Sequence, residues 1–202
     1  MKEYLKGIPD KREYKETTSL RFKEDLIEFF SDIGSERTIL ELGTNHGHTT
    51  RVLSFLFNKV ITVDWKEEPN LRMARELNKD RDNITYVEKD LYNGMWDFSN
   101  FDVVFFDAVH THEAVLSDIN HAISTGKDNM YFVFDDYGHP TSTGPHDIVN
   151  DFIRNVKGFE RVRHIGEPEG TKLWEKSGRD TALKTSEGII CKYSRTKSWW
   201  EE

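Results

Sequence analysis

Apolar positions along the chain follow two alternating rhythms. Apolar, β-rich runs occupy Thr38–Leu42 and residues 60–63, 84–87, 101–106 and 130–134. Runs that are apolar on both faces predict strands buried in a sheet covered on both sides. Between them, apolar residues recur at helical spacing: Val52, Leu53, Leu56 and Phe57, then Leu71, Ala74 and Leu77, then Ala114, Val115, Ile119, Ala122 and Ile123. A later stripe of Ile148, Val149, Phe152, Ile153 and Val156 follows Gly144-Pro145, with proline placed for a first helical turn. Leu26, Ile27, Phe30 and Ile33 mark a helix ahead of the first strand. Alternation of this kind predicts a doubly wound, mostly parallel α/β sheet. The rhythm changes at the end, where Phe159–Ile165 and residues 188–193 read as two strands with no helix between.

A chain of 202 residues suits one domain, residues 1–202. Within it, 1–35 form a leading helical segment able to act as a lid, 36–160 the core, and 161–202 the last strands and tail. The formal charge of -8 argues against nucleic acid, whose binding needs clustered Lys and Arg. The segment MKEYLKGIPDKREYKE has no apolar signal region, and no run approaches a membrane span. With a single cysteine, Cys191, set in an apolar strand-like run, the expected location is cytoplasmic. Near the end, Trp199 and Trp200 sit among charges, as a packed tail, a homodimer contact or a lid.

Ligands of doubly wound sheets bind beyond the carboxyl ends of the strands. The first strand runs into ELGTNHGHTT, where Gly43 and Gly47 let the backbone pass close to a ligand, with Thr44 and Asn45 between them. Thr49 is placed to cap the next helix. Two glycines after a strand also suit a plain turn. The spacing Gly-x-x-x-Gly departs from a dinucleotide loop, and Glu41 is a poor neighbour for a pyrophosphate. The second strand ends at Asp64-Trp65, with Asp64 about twenty residues beyond the loop, where a ribose diol is gripped. The third ends at Glu88-Lys89-Asp90-Leu91, with Asp90 positioned for an adenine amine.

The series ILELGTNHGHTT, ITVDW, VEKDL and FDVVFFDA resembles the class I S-adenosylmethionine-dependent methyltransferases, in the small O-methyltransferase branch. The resemblance covers about residues 36–160. It implies a seven-stranded sheet whose last strand is antiparallel, and a cofactor site at Glu41, Gly43, Asn45, Thr49, Asp64, Asp90 and Asp107. It leaves the place of Trp65 open.

The stretch VFFDAVHTHE ends the fourth strand at Asp107, and the fifth ends at Asp135-Asp136. Three carboxylates at one sheet edge raise one another's pKa unless a cation intervenes, so a divalent ion on Asp107, Asp135 and Asp136 is expected. Oxygen-only ligation suits Mg²⁺, with Mn²⁺ or Ca²⁺ as alternatives. The bland reading leaves Asp107 to the cofactor and Asp135-Asp136 to a capping turn. The resemblance extends to metal-dependent catechol-type and macrolide-sugar-type enzymes, which carry acids at these positions. Their catechol-type members place a proton-accepting lysine three residues after the first acid; here that position is His110, a residue able to serve as general base. His110-x-His112 enters a helix instead of lying on a strand, which argues against zinc, and His112 is expected to cap or pack. His46, His48, His139 and His146 fall in loops at the same edge.

These features together predict O-methylation of a small hydroxylated acceptor, a sugar or a phenol. The Asn/Asp-Pro-Pro-Tyr motif of amino-methylating enzymes does not occur in the sequence. The rivals are an NAD-dependent oxidoreductase and a non-catalytic cofactor-binding module.

Overall fold

Seven strands form one sheet in the order β3-β2-β1-β4-β5-β7-β6. The computed structural model describes residues 3–94, 96–173 and 182–195. The strands are β1 (Thr38–Leu42), β2 (Lys59–Asp64), β3 (Ile84–Glu88), β4 (Val103–Phe106), β5 (Asn129–Phe134), β6 (Phe159–Ile165) and β7 (Gly188–Ser194). The helices are α1 (Leu20–Phe30), α2 (His48–Leu56), α3 (Arg72–Leu77), α4 (His112–Thr125) and α5 (Gly144–Asn155). Strands β1 to β5 pair in parallel. Strand β7 inserts antiparallel between β5 and β6. The doubly wound sheet with an antiparallel last strand is therefore as expected. Trp199 and Trp200 lie outside the described residues.

Side-chain alternation along each central strand divides the core in two. On one face Ile39, Val103, Phe105, Val133 and Ile190 pack with Phe22, Leu26 and Phe30 of α1 and Val52, Leu53 and Leu56 of α2. On the other, Leu40, Val104, Phe106, Phe132 and Phe134 pack with Val115 and Ile119 of α4 and Val149 and Phe152 of α5. Cys191 lies buried in β7 on this second face, as its apolar setting predicts. Among the described residues, no helix is long and apolar enough to cross a membrane.

The strand–helix alternation lapses between β3 and β4. Among the described residues of 89–102 there is no helix, and Leu91, Trp96 and Phe98 bury their side chains against the second core. The Trp96 ring stacks on His121 at 5.0 Å. Strand β4 also starts later than its apolar run, since the Asp102 carboxylate takes the backbone N–H of Thr38 at 2.9 Å.

The order in which strands are added reverses between β1 and β4, which fixes the switch point of the fold. There the backbone N–H of Asp107 donates to Leu42 O and that of Gly43 to Val63 O, both at 2.9 Å. Gly43 adopts φ +95, and a Cβ on it would lie 2.1 Å from the Asp107 carbonyl oxygen. Only glycine meets both conditions without moving backbone. Gly43→Ala is expected to lower unfolding free energy by about 1–3 kcal/mol, read as a reduced urea midpoint; an unchanged midpoint would show that the two loops can separate freely.

Candidate active site

The loops after β1, β2, β3, β4 and β5 enclose a cavity of about 620 Å³ at the carboxyl edge of the sheet, within the range of small-molecule sites. The first loop supplies Gly43, Thr44, Asn45, Gly47 and Thr49 to its lining, and the second supplies Asp64 and Trp65. Asp90, Leu91, Asp107, His110, Asp135 and Asp136 complete the expected set. Glu41 is the exception. Its side chain is fully buried behind the loop, where Oε2 accepts the hydroxyls of Thr50 and Thr62, each at 2.6 Å. Burial pushes its pKa up to about 7, partly offset by those two hydroxyls. Glu41 thus holds the loop from below and does not face the cavity.

The remaining cofactor candidates divide by what they touch. Asp64 accepts the backbone N–H of Asn45 at 2.8 Å and the side-chain amide of Asn70 at 3.2 Å. A carboxylate has about four acceptor positions, so Asp64 retains capacity for the hydroxyls of a ligand. Asp90 takes the N–H of Tyr92 on one oxygen at 3.0 Å. Trp65 is 70% exposed at the rim, with the Lys66 ammonium 5.6 Å from its ring centre. Thr49 does not cap α2. The helix already starts at His48, after Gly47 at φ 77, and the Thr49 hydroxyl meets that of Thr18 at 3.3 Å.

The acidic edge is arranged differently from the expectation. Lys11, from the segment ahead of α1, places its ammonium 3.2 Å from Asp135 Oδ2, 3.0 Å from Asp136 Oδ1 and 3.7 Å from Glu187 Oε1. Its side chain is 4% exposed. A divalent ion on Asp107, Asp135 and Asp136 does not fit this geometry, because a charged nitrogen already lies between two of the three ligands. Among the described residues, no group of three or more His, Cys, Asp or Glu is arranged to hold a metal. The carboxylates do come together as expected; their cation is an amino acid.

His110 stands at the end of this cluster. Its Nδ1 lies 3.1 Å from Asp136 Oδ2, and its Nε2 is 3.7 Å from Asp107 Oδ1. Asp136 as acceptor places the imidazole proton on Nδ1 and leaves Nε2 as the basic atom. Burial lowers the His110 pKa, but the hydrogen bond and charge of Asp136, with Asp135 behind it, outweigh that and raise it above 6.5. Burial also raises Asp136, and there Lys11 and His110 win, holding the carboxyl well below the usual range. Asp107 goes the other way: burial and Asp135 push it up, against the pull of Lys11. Buried His110 Nε2 and Asp135 Oδ1 have no hydrogen-bond partner.

His112 behaves locally, though not as the cap. Thr111 accepts the N–H of Ala114 at the start of α4, while His112 pairs with Asp147 at 2.9 Å on the surface. His46 stacks on Tyr14 at 5.2 Å and takes a 2.8 Å contact with its hydroxyl. His139 binds its own turn through the N–H groups of Thr141 and Ser142.

Several residues escaped sequence reasoning. Lys11, Lys15, Glu16 and Thr17 bring the N-terminal segment onto the cavity, and Tyr92 adds a phenol to its wall. Glu187 completes the acid cluster from the start of β7. Nothing local distinguishes Lys11 in IPDKREYK, since lysines are rarely buried and its partners are 124 and 125 positions away.

A family model described as a methyltransferase domain matches residues 40–137. Among solved structures, the chain is similar to a cofactor-bound protein from MTB, with 17% identity, a TM-score of 0.68, and coverage of 90% of this chain and 83% of that one. It is similar to an S-adenosylmethionine-dependent O-methyltransferase from Thermotoga maritima, with 14% identity, a TM-score of 0.62, and coverage of 90% and 68%. It is also similar to an rRNA methylase from Streptococcus thermophilus, with 12% identity, a TM-score of 0.59, and coverage of 88% and 98%. No curated protein matches the chain. The fold is that of the class I S-adenosylmethionine-dependent methyltransferases, and residues 40–137 match the methyltransferase-domain model.

Glu41 gives the site a pH signature. Its pKa is 4.5 ordinarily and about 7 in the folded chain. Below the first value both states are protonated and nothing is lost; between the two the folded state alone retains the proton, so stability falls as pH rises, and above the second neither state holds it and the loss is complete. Relative to Glu41→Gln, the wild-type chain should lose on the order of 3 kcal/mol between pH 4 and pH 8, measured by urea unfolding. Parallel pH profiles for the two proteins would place the buried proton elsewhere.

Proposed function

We propose that the chain is an S-adenosylmethionine-dependent methyltransferase that methylates an oxygen of a small hydroxylated acceptor. The observation that carries this reading is one cavity holding both halves of the chemistry. Asp64, Asp90 and the Gly43–Gly47 loop line one part, and the Asp136–His110 pair lines another. The residues fit the cofactor: an acid with spare acceptor positions follows β2, and a close-packed glycine turn follows β1. When bound, S-adenosylmethionine supplies a methyl group made electrophilic by its sulfonium.

The chain's own part is orientation and proton removal. Asp136 holds the His110 ring through Nδ1, so Nε2 is the atom that accepts the acceptor's hydroxyl proton. The unpartnered Asp135 Oδ1 and His110 Nε2 are the polar groups that a substrate hydroxyl would satisfy. Tyr92, whose hydroxyl donates to Asp118 Oδ2 at 3.1 Å, lines the same cavity. Burial pushes Asp118 up to about 7. A sugar or phenol fits such a wall of hydroxyl, imidazole and carboxyl groups. The net charge of -8 disfavours an RNA acceptor. No divalent ion enters the reading, because Lys11 lies where one was expected.

Calorimetry with S-adenosylhomocysteine should show one site per chain, and Asp64→Ala should weaken it by roughly 1–3 kcal/mol, the cost of a lost charged hydrogen bond. Preference for NAD over S-adenosylhomocysteine would sink the assignment.

With an acceptor in hand, His110→Ala should reduce kcat by about 10²–10⁴-fold while leaving the affinity for S-adenosylhomocysteine unchanged. An imidazolium cannot accept a proton, so wild-type kcat should fall as pH drops through a pKa lying above 6.5. A His110→Ala enzyme with the wild-type rate and profile would move the base to another residue.

A further inference from the structure

The segment ahead of α1 is fixed to the molecule at successive residues. Asp10 accepts the N–H of Leu20 at 3.0 Å, and Arg12 meets Glu167 at 3.0 Å. Tyr14 stacks on His46, and the Glu16 carbonyl takes the amide of Asn45 at 2.9 Å. Lys11 is the inward residue of this strap, and its ammonium enters the acid cluster at the ends of β5 and β7.

Burying a lysine is expensive: its charge leaves water and its flexible stem is immobilised. Such a group persists where opposite charge surrounds it, and Asp135, Asp136 and Glu187 do so within 3.0–3.7 Å. Mg²⁺ requires a near-octahedral shell of oxygens at about 2.0–2.1 Å. Two of the carboxylates that would form it instead converge on nitrogen at hydrogen-bond distance. An ammonium and a dication cannot both occupy the space between Asp135 and Asp136.

We infer that Lys11 is the resident cation of this site, a charge supplied by the chain itself in the place of a divalent ion. It positions Asp135 and Asp136, and through Asp136 it positions His110; the role of His110 rests on the methyl-transfer reading above, whereas the identity of the cation does not. Lys11 is a positioning residue. Its ammonium has no lone pair with which to accept a proton and takes no part in methyl transfer. The N-terminal strap is thereby tied to the reaction edge, so that closing the cavity and completing the charge balance are one event.

The test is Mn²⁺ binding to the full chain, followed by electron paramagnetic resonance without cofactor or acceptor. Wild-type protein should bind no stoichiometric Mn²⁺, and excess EDTA should change neither its thermal midpoint nor its affinity for S-adenosylhomocysteine. Lys11→Ala, which empties the position and leaves the acids, should bind Mn²⁺ at least about tenfold more tightly than wild type. Adding Asp135→Asn to that variant should abolish the gain. A wild-type chain that binds one Mn²⁺, with affinity lost in Asp135→Asn, would overturn the inference. So would a folded Lys11→Ala chain that gains no Mn²⁺. The wild-type measurements hold even where the variant fails to fold, and they do not depend on turnover. Absence of methyl transfer would count against the proposed function alone.

Discussion

The acid cluster at the carboxyl ends of β4 and β5 and the amino end of the antiparallel β7 has to be neutralised before the site can exist. Parallel strands end at one edge, and the residues that follow β4 and β5 are Asp107, Asp135 and Asp136, with Glu187 preceding the antiparallel β7. At low dielectric, four such carboxyls cannot all ionise without a counter-charge. The chain answers in two ways. Lys11 pairs with Asp135, Asp136 and Glu187, so Asp136 stays ionised, while Asp107, farther from that balance, is pushed towards its neutral form. One buried ammonium therefore links the N-terminal segment to the ionised Asp136 and, through it, to His110.

The same edge is held from behind by a neutral network. Glu41, Thr50, Thr62 and Thr44 form a chain of hydroxyl and carboxyl contacts at 2.6 Å beneath the glycine loop. This network has no ammonium near it, and burial pushes Glu41 up to about 7. Two acids, one within β1 and one just after β5, thus reach opposite states. Asp136 is kept as an anion by Lys11 and His110, whereas Glu41 is drawn towards a hydrogen-bonded acid by burial. Their sequence neighbourhoods, LELG and FDDY, do not distinguish them; the partners do.

That contrast explains which features were legible in the sequence. The strands and most helices follow from short-range periodicity, and Thr38–Leu42 agrees with its apolar run residue for residue. The loop positions of Gly43, Asp64, Asp90 and Asp107 follow from being placed at strand ends, which topology then gathers into one cavity. Reading failed where the answer lay across the chain. Lys11 is paired over 124 residues, and Glu41 is buried within β1 beneath the loop. The passage over residues 89–102, with no helix among its described residues, was legible only as a missing stripe, since Leu91, Trp96 and Phe98 pack without periodic spacing. An excess of acid predicted a cation correctly in charge and wrongly in kind, because sequence shows the demand for positive charge at an edge and not its source.

The source matters physically. A bound metal leaves with a chelator and can be exchanged, and its ligands must be held in a rigid shell whether or not substrate is present. A lysine on a strap is covalently retained, but its placement depends on the strap being down. Tyr14, Glu16 and Thr17 belong to that strap and lie on or beside the cavity wall. Lifting it would therefore remove the counter-charge of Asp135 and Asp136 at the moment the cavity opens, and the exposed carboxylates would gain water in exchange. Closing reverses both changes together. On the proposed reading, the positive charge that lets Asp136 hold His110 would be present when the cavity is shut, which is also when solvent would be excluded and a neutral imidazole could act as a base towards the enclosed acceptor.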